Sequence, residues 1–368
     1  MMIKKTLLAA SVLMLIARWA KNRAQIAPPR PDAAMQQVLD ALKALGGKPV
    51  ETLSPEEARR QPLPGAAVLA LISGDGIEDP AKRAVTLSHL AIAGPDGDIP
   101  IHLYTPQGPG PFPVLLYFHG GGFVIARTAD YDASARALAG DGGMVVVAVD
   151  YHRAPEHKFP AATNDAYAAY QWVRTHATEF NGDPLQIAVS GESAGANLAT
   201  VVCLMARDRN VTLPLHQLLI YPVVDNDMTR PSYLANARAV PLNKAMMQWF
   251  FGHYADARDA LHPYALPMKA ASLAGLPPAT VITAEIDPLQ SEGQAYAARL
   301  QASGVTVVQR DYAGVTHEFF GMGAVLPAAR QAQRFAAEQL QQAFREARFR
   351  RNRSALEQGV VPVPHNLA

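Results

Sequence analysis

The sequence predicts an α/β fold, an open and mostly parallel sheet whose strands alternate with helices and which is entered through an antiparallel pair. Three observations predict it. Short unbroken apolar runs recur at 114–118, 144–149, 186–189, 215–220, 280–284 and 305–308. Such runs, without polar alternation, are what strands buried on both faces need, and the helix-length segments between them suit βαβ crossovers. Upstream the period changes: Val85 to Ile92 and Ile99 to Tyr104 flank Gly94-Pro95-Asp96-Gly97 and read as two strands around a tight turn. Composition supports burial on this scale, because 368 residues that are 49% hydrophobic and 18% charged are neither a stapled mini-protein nor a disordered chain.

Charge and cysteine usage exclude several functions. With 33 basic against 32 acidic residues the net charge is +1, so no global field attracts nucleic acid or an anionic membrane. A single cysteine excludes an intrachain disulfide, a thiolate zinc cluster and an iron-sulfur site. Cys203 lies in the apolar run 200–205 and reads as an inert buried thiol.

The N-terminus has a different character. Lys4 and Lys5 precede the uncharged stretch Thr6 to Ala17, and positive charge resumes at Arg18 and Lys21. At about 1.5 Å per residue that stretch reaches roughly 18 Å, short of a bilayer's roughly 30 Å core, which favours a signal-peptide core over a spanning helix. Residues 1–27 therefore read as a signal peptide. Because no clean small-x-small cleavage triplet follows, an uncleaved anchor is the alternative. The expected location is accordingly export, or attachment to a membrane through this segment. After Pro28-Pro29-Arg30-Pro31, apolar residues Met35, Val38, Leu39, Leu42 and Leu45 follow a helical period that Gly46-Gly47 closes. Ser54-Pro55-Glu56-Glu57 opens a second short helix, with Ser as N-cap and Pro at the first helical position. A stretch at about 222–268, rich in Pro, Tyr, Trp and Phe, interrupts the later alternation and reads as an insertion. The arginines 345, 348, 350, 351 and 353 read as a solvated helix end, and residues 354–368 as a tail with little order.

The chemistry centres on two glycine-bearing turns. Gly191-Glu192-Ser193-Ala194-Gly195 follows the run 186–189 and opens a helix-like segment from Ala196. A strand-turn-helix this sharp lifts a serine hydroxyl above the sheet edge and tolerates only small residues beside it. His119-Gly120-Gly121-Gly122-Phe123 follows the run 114–118, and its glycines free backbone N–H groups to point into a cavity as an oxyanion hole would require. Neither phosphate-loop glycine spacing is met.

A serine presented in this way needs a base and an acid, which on such sheets follow in the order Ser, acid, His at the carboxyl ends of strands. After Ser193 the histidines are His216, His253, His262, His317 and His365. His216 falls in a predicted strand, His253 and His262 in the insertion, and His365 in the Pro-rich tail. His317 follows a late strand, 305–312, and a turn at 313–317. Asp287 follows the run 280–284 and precedes Pro288, which suits a carboxylate reaching back to a histidine. Glu285 is the competing acid, nearer the strand.

These motifs resemble the hormone-sensitive-lipase-like esterases of the α/β-hydrolase fold, bacterial family IV. The resemblance runs from about 32 to 345 and rests on HGGGF at 119–123, YHRAPEHKFPAA at 151–162, GESAG at 191–195, LAGLPPA at 273–279, Asp287-Pro288-Leu289 and the His317 turn. It implies an eight-stranded, mostly parallel sheet with helices on both faces and a helical cap. The cap would comprise the N-terminal helices (28–83) and the 222–268 insertion on a catalytic domain at 84–345, with 346–368 as the C-terminal tail. It also implies Ser193, Asp287 and His317 as a catalytic triad and Gly121, Gly122 and Ala194 as oxyanion donors, the choice among the three glycines staying open. Phe123, Trp249 and Phe250 are the candidate acyl-pocket residues, although aromatics at helical spacing equally suit plain cap core. The implied activity is a serine carboxylesterase for short- to medium-chain esters, its partner a small-molecule ester, with no metal, no organic cofactor and no nucleic acid. An inactive ligand-binding protein of the same fold, an amidase and a lipase are the alternatives. The sequence departs from the usual family form at Glu192 (usually Asp), at Gln290-Ser291 (usually Arg-Asp) and at His152-Arg153 (usually Arg-Leu). Glu192 and Ser291 are expected to compensate for one another around the triad.

Overall fold

Strand formation follows the apolar runs closely. A computed structural model describes residues 29–74 and 85–357. The hairpin strands are β1 (Val85–Gly94) and β2 (Gly97–Pro106), followed by β3 (Phe112–Phe118), β4 (Val145–Val149), β5 (Gly182–Glu192), β6 (Gln217–Ile220), β7 (Ala279–Ile286) and β8 (Val307–Thr316). They form one eight-stranded sheet in the order β1-β2-β4-β3-β5-β6-β7-β8. The β1/β2 and β2/β4 pairs are antiparallel and every pair from β4 to β8 is parallel.

The unbroken apolar runs are explained by burial on both faces. Val114, Leu116 and Phe118 of β3 and Val145, Val147 and Val149 of β4 join one core, while Leu115, Tyr117, Val146 and Ala148 join the other. The first core is closed by α5 (Ala161–His176), α6 (Ala194–Asp208) and α9 (Gln290–Ala302). The second is closed by α1 (Ala33–Ala44), α4 (Asp132–Gly142) and α10 (Pro327–Glu357). The strand order reverses between β3 and β5, and in open α/β sheets ligands gather at the carboxyl ends beside such a reversal.

The N-terminal segment is built into this core. The Asp32 carboxylate caps α1 by accepting from the Met35 N–H at 2.7 Å, and the Asp32 N–H donates to the Gly314 carbonyl at 2.8 Å, tying α1 to β8. Met35 and Val38 are fully buried. Ser54 caps α2 (Pro55–Ala58) as expected and forms a capping box with Glu57. A further helix, α3 (Pro64–Gly74), has no counterpart in the sequence reading, because its residues are apolar all round and give no amphipathic stripe. Between β6 and β7 the insertion carries α7 (Pro231–Ala235) and α8 (Lys244–Tyr254).

Two expectations need correction. The turn at 313–317 is absent: β8 continues to Thr316, and the turn-like Gly314, at φ +70°, is absorbed where the β7/β8 register shifts between Ala284 and Ile286. The boundary at 345/346 is also absent, since α10 runs unbroken to Glu357 with helical ion pairs Glu346–Arg350 and Arg353–Glu357 along it. Residues 354–357 of the supposed tail are therefore helical. The readings of residues 1–27 and of His365 lie outside the described residues. Among the described residues no helix is long and apolar enough to cross a membrane.

Candidate active site

The β5–α6 turn fixes the serine. Ser193 sits at φ +56°, ψ −116°, a conformation that costs a non-glycine residue of order 1–3 kcal/mol. The surrounding backbone holds it there. The Ser193 N–H donates to the Ile220 carbonyl at 2.9 Å, and the Val223 N–H donates to the Ser193 carbonyl at 3.2 Å. A Cβ on Gly191 would lie 2.2 Å from the Gly195 carbonyl carbon, and one on Gly195 would lie 2.0 Å from the Phe118 carbonyl oxygen. Both glycines are therefore obligatory because backbone, which cannot rotate away, occupies the space.

Three strand ends bring the predicted residues together. His317 Nε2 lies 3.0 Å from Ser193 Oγ across 124 residues of sequence, and His317 Nδ1 lies 2.7 Å from Asp287 Oδ2. The other Asp287 oxygen accepts from the Leu289 N–H at 2.8 Å. All three side chains are buried. Burial alone would lower the His317 pKa, but the Asp287 carboxylate, through its charge and hydrogen bond, raises it above the ordinary histidine value, with Glu318 and Glu192 adding in the same direction. The competing acid is accounted for: Glu285 Oε2 accepts from the Gly314 N–H at 2.8 Å, holding the bulged ladder of β8.

The glycine loop starts beside the serine turn, where a Cβ on Gly195 would fall 2.5 Å from the His119 carbonyl oxygen. Gly121 and Gly122 adopt φ +92° and +59°, and a Cβ on Gly121 would fall 2.4 Å from the Ile125 carbonyl oxygen. Among the described residues the N–H groups of Gly121, Gly122 and Ala194 have no protein acceptor. Unspent backbone donors beside a nucleophile can hold a developing oxyanion. The loop is braced from below, where the His119 and Tyr151 rings stack at 4.3 Å and the Tyr151 hydroxyl donates to the His119 carbonyl at 2.9 Å. The adjoining His152 accounts for its departure from the family form, its backbone N–H and Nδ1 both meeting Asp165 Oδ2, at 2.8 and 2.7 Å.

The three pocket candidates separate. Phe123, at φ +64°, stacks on Tyr254 with centroids 3.7 Å apart. Phe250 is buried, and its ring covers Gly122, 2.2 Å from where a Cβ would stand. Trp249 does not join them at the glycine loop; its Nε1 donates to the Leu53 carbonyl at 3.1 Å, making it a strut from α8 to the N-terminal segment.

The compensation expected between Glu192 and Ser291 is not found. Ser291 Oγ accepts from the Ser232 N–H at 2.9 Å, whereas Glu192 accepts from the hydroxyls of Tyr117, at 2.6 Å, and Tyr221. Tyr221 in turn lies 4.6 Å from the His317 ring, centroid to centroid, and Tyr131 donates to Glu318 at 2.5 Å. The sequence reading missed Tyr117, Tyr131, Tyr221 and Glu318. The one signal was a carboxylate directly flanking both Ser193 and His317. Glu192 and Glu318 also line a cavity of about 1240 Å³ that neither Ser193 nor His317 lines.

Gly195→Ala is expected to cost at least about 3 kcal/mol of stability, since the methyl would overlap the Phe118 carbonyl. Urea denaturation of the variant measures this, and a loss below about 1 kcal/mol would show that the turn is not as tight as described.

Comparison with known proteins places this geometry. A family model described as the alpha/beta hydrolase fold matches residues 115–321. The chain is 35% identical over 317 residues to the ethyl acetate hydrolase of Pseudomonas putida, covering 84% of this chain and 97% of that one. It is 39% identical over 245 residues to the carboxylic ester hydrolase LipN of Mycobacterium tuberculosis, covering 65% of each. Among solved structures, a thermostable esterase from Pseudomonas putida superposes with a TM-score of 0.78 at 36% identity, covering 87% of this chain and 99% of that one. A hyperthermophilic esterase from Pyrobaculum calidifontis does so with a TM-score of 0.77 at 36% identity, covering 85% and 98%. The chain belongs to the α/β-hydrolase fold family, in its hormone-sensitive-lipase-like esterase branch.

Proposed function

We propose that this carboxylic ester hydrolase works by acyl transfer through Ser193, with His317 as base and Asp287 as its acid partner, on esters with short to medium acyl chains. The observation that carries the reading is the 3.0 Å approach of Ser193 Oγ to His317 Nε2, and it is supported by the unspent N–H groups of Gly121, Gly122 and Ala194. Ser193 Oγ attacks the ester carbonyl while His317 takes its proton, and the oxyanion settles on those backbone N–H groups. The tetrahedral intermediate expels the alkoxide, which receives the proton from His317. Water then repeats the sequence on the acyl-enzyme. Asp287 holds the imidazole in the tautomer that presents Nε2 to the serine and stabilises the imidazolium.

The chain-length assignment is supported by Phe250, whose ring closes the space over Gly122, and by the ethyl acetate activity that a relative's name states. We read α1 to α3 and the 222–268 insertion as a cap. Its halves are joined by Trp249 to the Leu53 carbonyl and by Asn243 Nδ2 to Glu51 Oε1 at 3.2 Å.

Ser193→Ala is expected to lower kcat for p-nitrophenyl esters by about five orders of magnitude or more with the fold intact. The wild type should prefer acetate to hexanoate over palmitate, and fluorophosphonate labelling at any other residue would overturn the assignment. Asp287→Asn should lower kcat by about three to four orders of magnitude with KM little changed. Glu285→Gln should act mainly on stability, and the reverse ranking would move the acid to Glu285. The reading of residues 1–27 as an export signal or anchor predicts the protein in the cell envelope or medium, and an intact Met1 on cytosolic protein, seen by mass spectrometry, would refute it.

A further inference from the structure

Two carboxylates beside the triad, Glu192 buried and Glu318 half-buried, are unused by the acyl-transfer steps. Glu192, next to the nucleophile, is fully buried, and its oxygens accept from Tyr117 of β3 and from Tyr221 after β6. Glu318, next to the base, is held at φ +70°, a left-handed conformation that a residue with a long side chain adopts at a cost. There its carboxylate meets the Tyr131 hydroxyl at 2.5 Å. The Tyr131 hydroxyl also lies against Gly120, at the root of the glycine loop. Tyr221 is itself at φ +37° and packs its ring on the His317 imidazole at 4.6 Å. Positive-φ backbone thus carries both the residue that follows His317 and the tyrosine that packs on its ring. Burying Glu192 without a cationic partner costs stability, so the arrangement asks for a use.

We propose that Glu192 and Glu318 are positioning residues for His317: Glu192 fixes the Tyr221 ring that packs on the imidazole, and Glu318 sets a second negative charge beside the imidazolium that forms during the reaction. The proposal rests on the acyl-transfer reading. The groups that face the pair come from every neighbouring element. Glu192 meets Ser134 of α4 as well as Tyr117 and Tyr221, and feels the charge of Glu318. Glu318 meets Tyr131 and feels the charges of His317, Asp130 and Asp287. Burial comes first in raising both carboxyls, and it pushes Glu192 up to about 7 against the opposing tyrosine hydrogen bonds. Glu318 raises the His317 pKa, so removing its charge lowers that pKa and leaves the base neutral at lower pH.

The test is the acidic limb of kcat/KM against pH for p-nitrophenyl acetate, which reports the essential base in the free enzyme. Glu318→Gln should move the limb to lower pH by about half a unit to one unit, and should lower kcat on the plateau several-fold with KM little changed. Glu192→Gln should do the same more weakly, and Glu192→Asp, which keeps the charge, should restore the limb towards the wild-type position. If Glu318→Gln does not fold, Tyr131→Phe serves instead, because loss of the hydroxyl favours protonated Glu318 and shifts the limb the same way. An unmoved limb in these variants, even with a lower melting temperature, would overturn the proposal in favour of a purely structural role. Titration of the wild type with a fluorophosphonate separates the two levels. Stoichiometric labelling of Ser193 with an unmoved limb sinks the pair alone, whereas failure to label sinks the acyl-transfer reading and the pair with it.

Discussion

The tight turn at Ser193 is the constraint on which the rest depends. A non-glycine residue at φ +56° is retained only where its surroundings over-determine it, and here three adjacent strands do so. β5 ends in the turn, β6 supplies the Ile220 carbonyl to the Ser193 N–H, and β3 ends with the Phe118 carbonyl against Gly195. These are neighbours at the middle of the sheet, where all strands are parallel and both faces are buried. The strain is stored in the least deformable part of the molecule, so the hydroxyl stays within hydrogen-bond reach of His317.

From that fixed point the other groups arrive by topology. Because β3, β5, β7 and β8 run in one direction, the residues just past their carboxyl ends share one edge. His119, Ser193, Asp287 and His317 occupy those places. The left-handed glycines after β3 then turn their N–H groups without a Cβ in the way, and α6 starts at Ala194, directing the positive end of its dipole at the same spot. Distances of 2.7 and 3.0 Å across 30 and 124 residues of chain follow from strand register rather than from local sequence.

What was legible in the sequence follows the same division. Central strands could be read because burial on both faces leaves an unbroken apolar run, and the turns at Ser193 and Gly121 because close backbone approach admits only glycine. That Asp287 rather than Glu285 lies beside His317 could be anticipated from position after the strand. α3 was not legible because an all-apolar helix has no period to detect, and β8 was cut short because Gly314 signals a turn even where a bulged ladder absorbs it. The tyrosines around Glu192 and Glu318 were invisible for a different reason. Tyr117, Tyr131 and Tyr221 come from separate elements, and their shared acceptors exist only after the sheet has formed.

The site's protonation gives that network a thermodynamic direction. Glu192 moves from an ordinary 4.5 up to about 7 on folding, so between those values the folded chain holds a proton that the unfolded chain has released. Its contribution to stability is therefore present at low pH and withdrawn as pH rises through that window. Glu292 behaves alike, with burial pushing it up to about 8 despite the Val224 and Asp225 N–H groups it accepts from. His317, raised above its ordinary 6.5, contributes in the same sense, its stability lost as pH climbs through the folded value. Glu156, held at about 2 by its hydrogen bonds with Arg59, has the opposite sign but lies near the surface, where solvent weakens it. On the proposed mechanism His317 must be neutral, which means pH above its raised value. The proposed chemistry thus runs where Glu192 and His317 contribute least to stability, and the sheet beneath the Ser193 turn must hold the geometry that protons would otherwise help to hold.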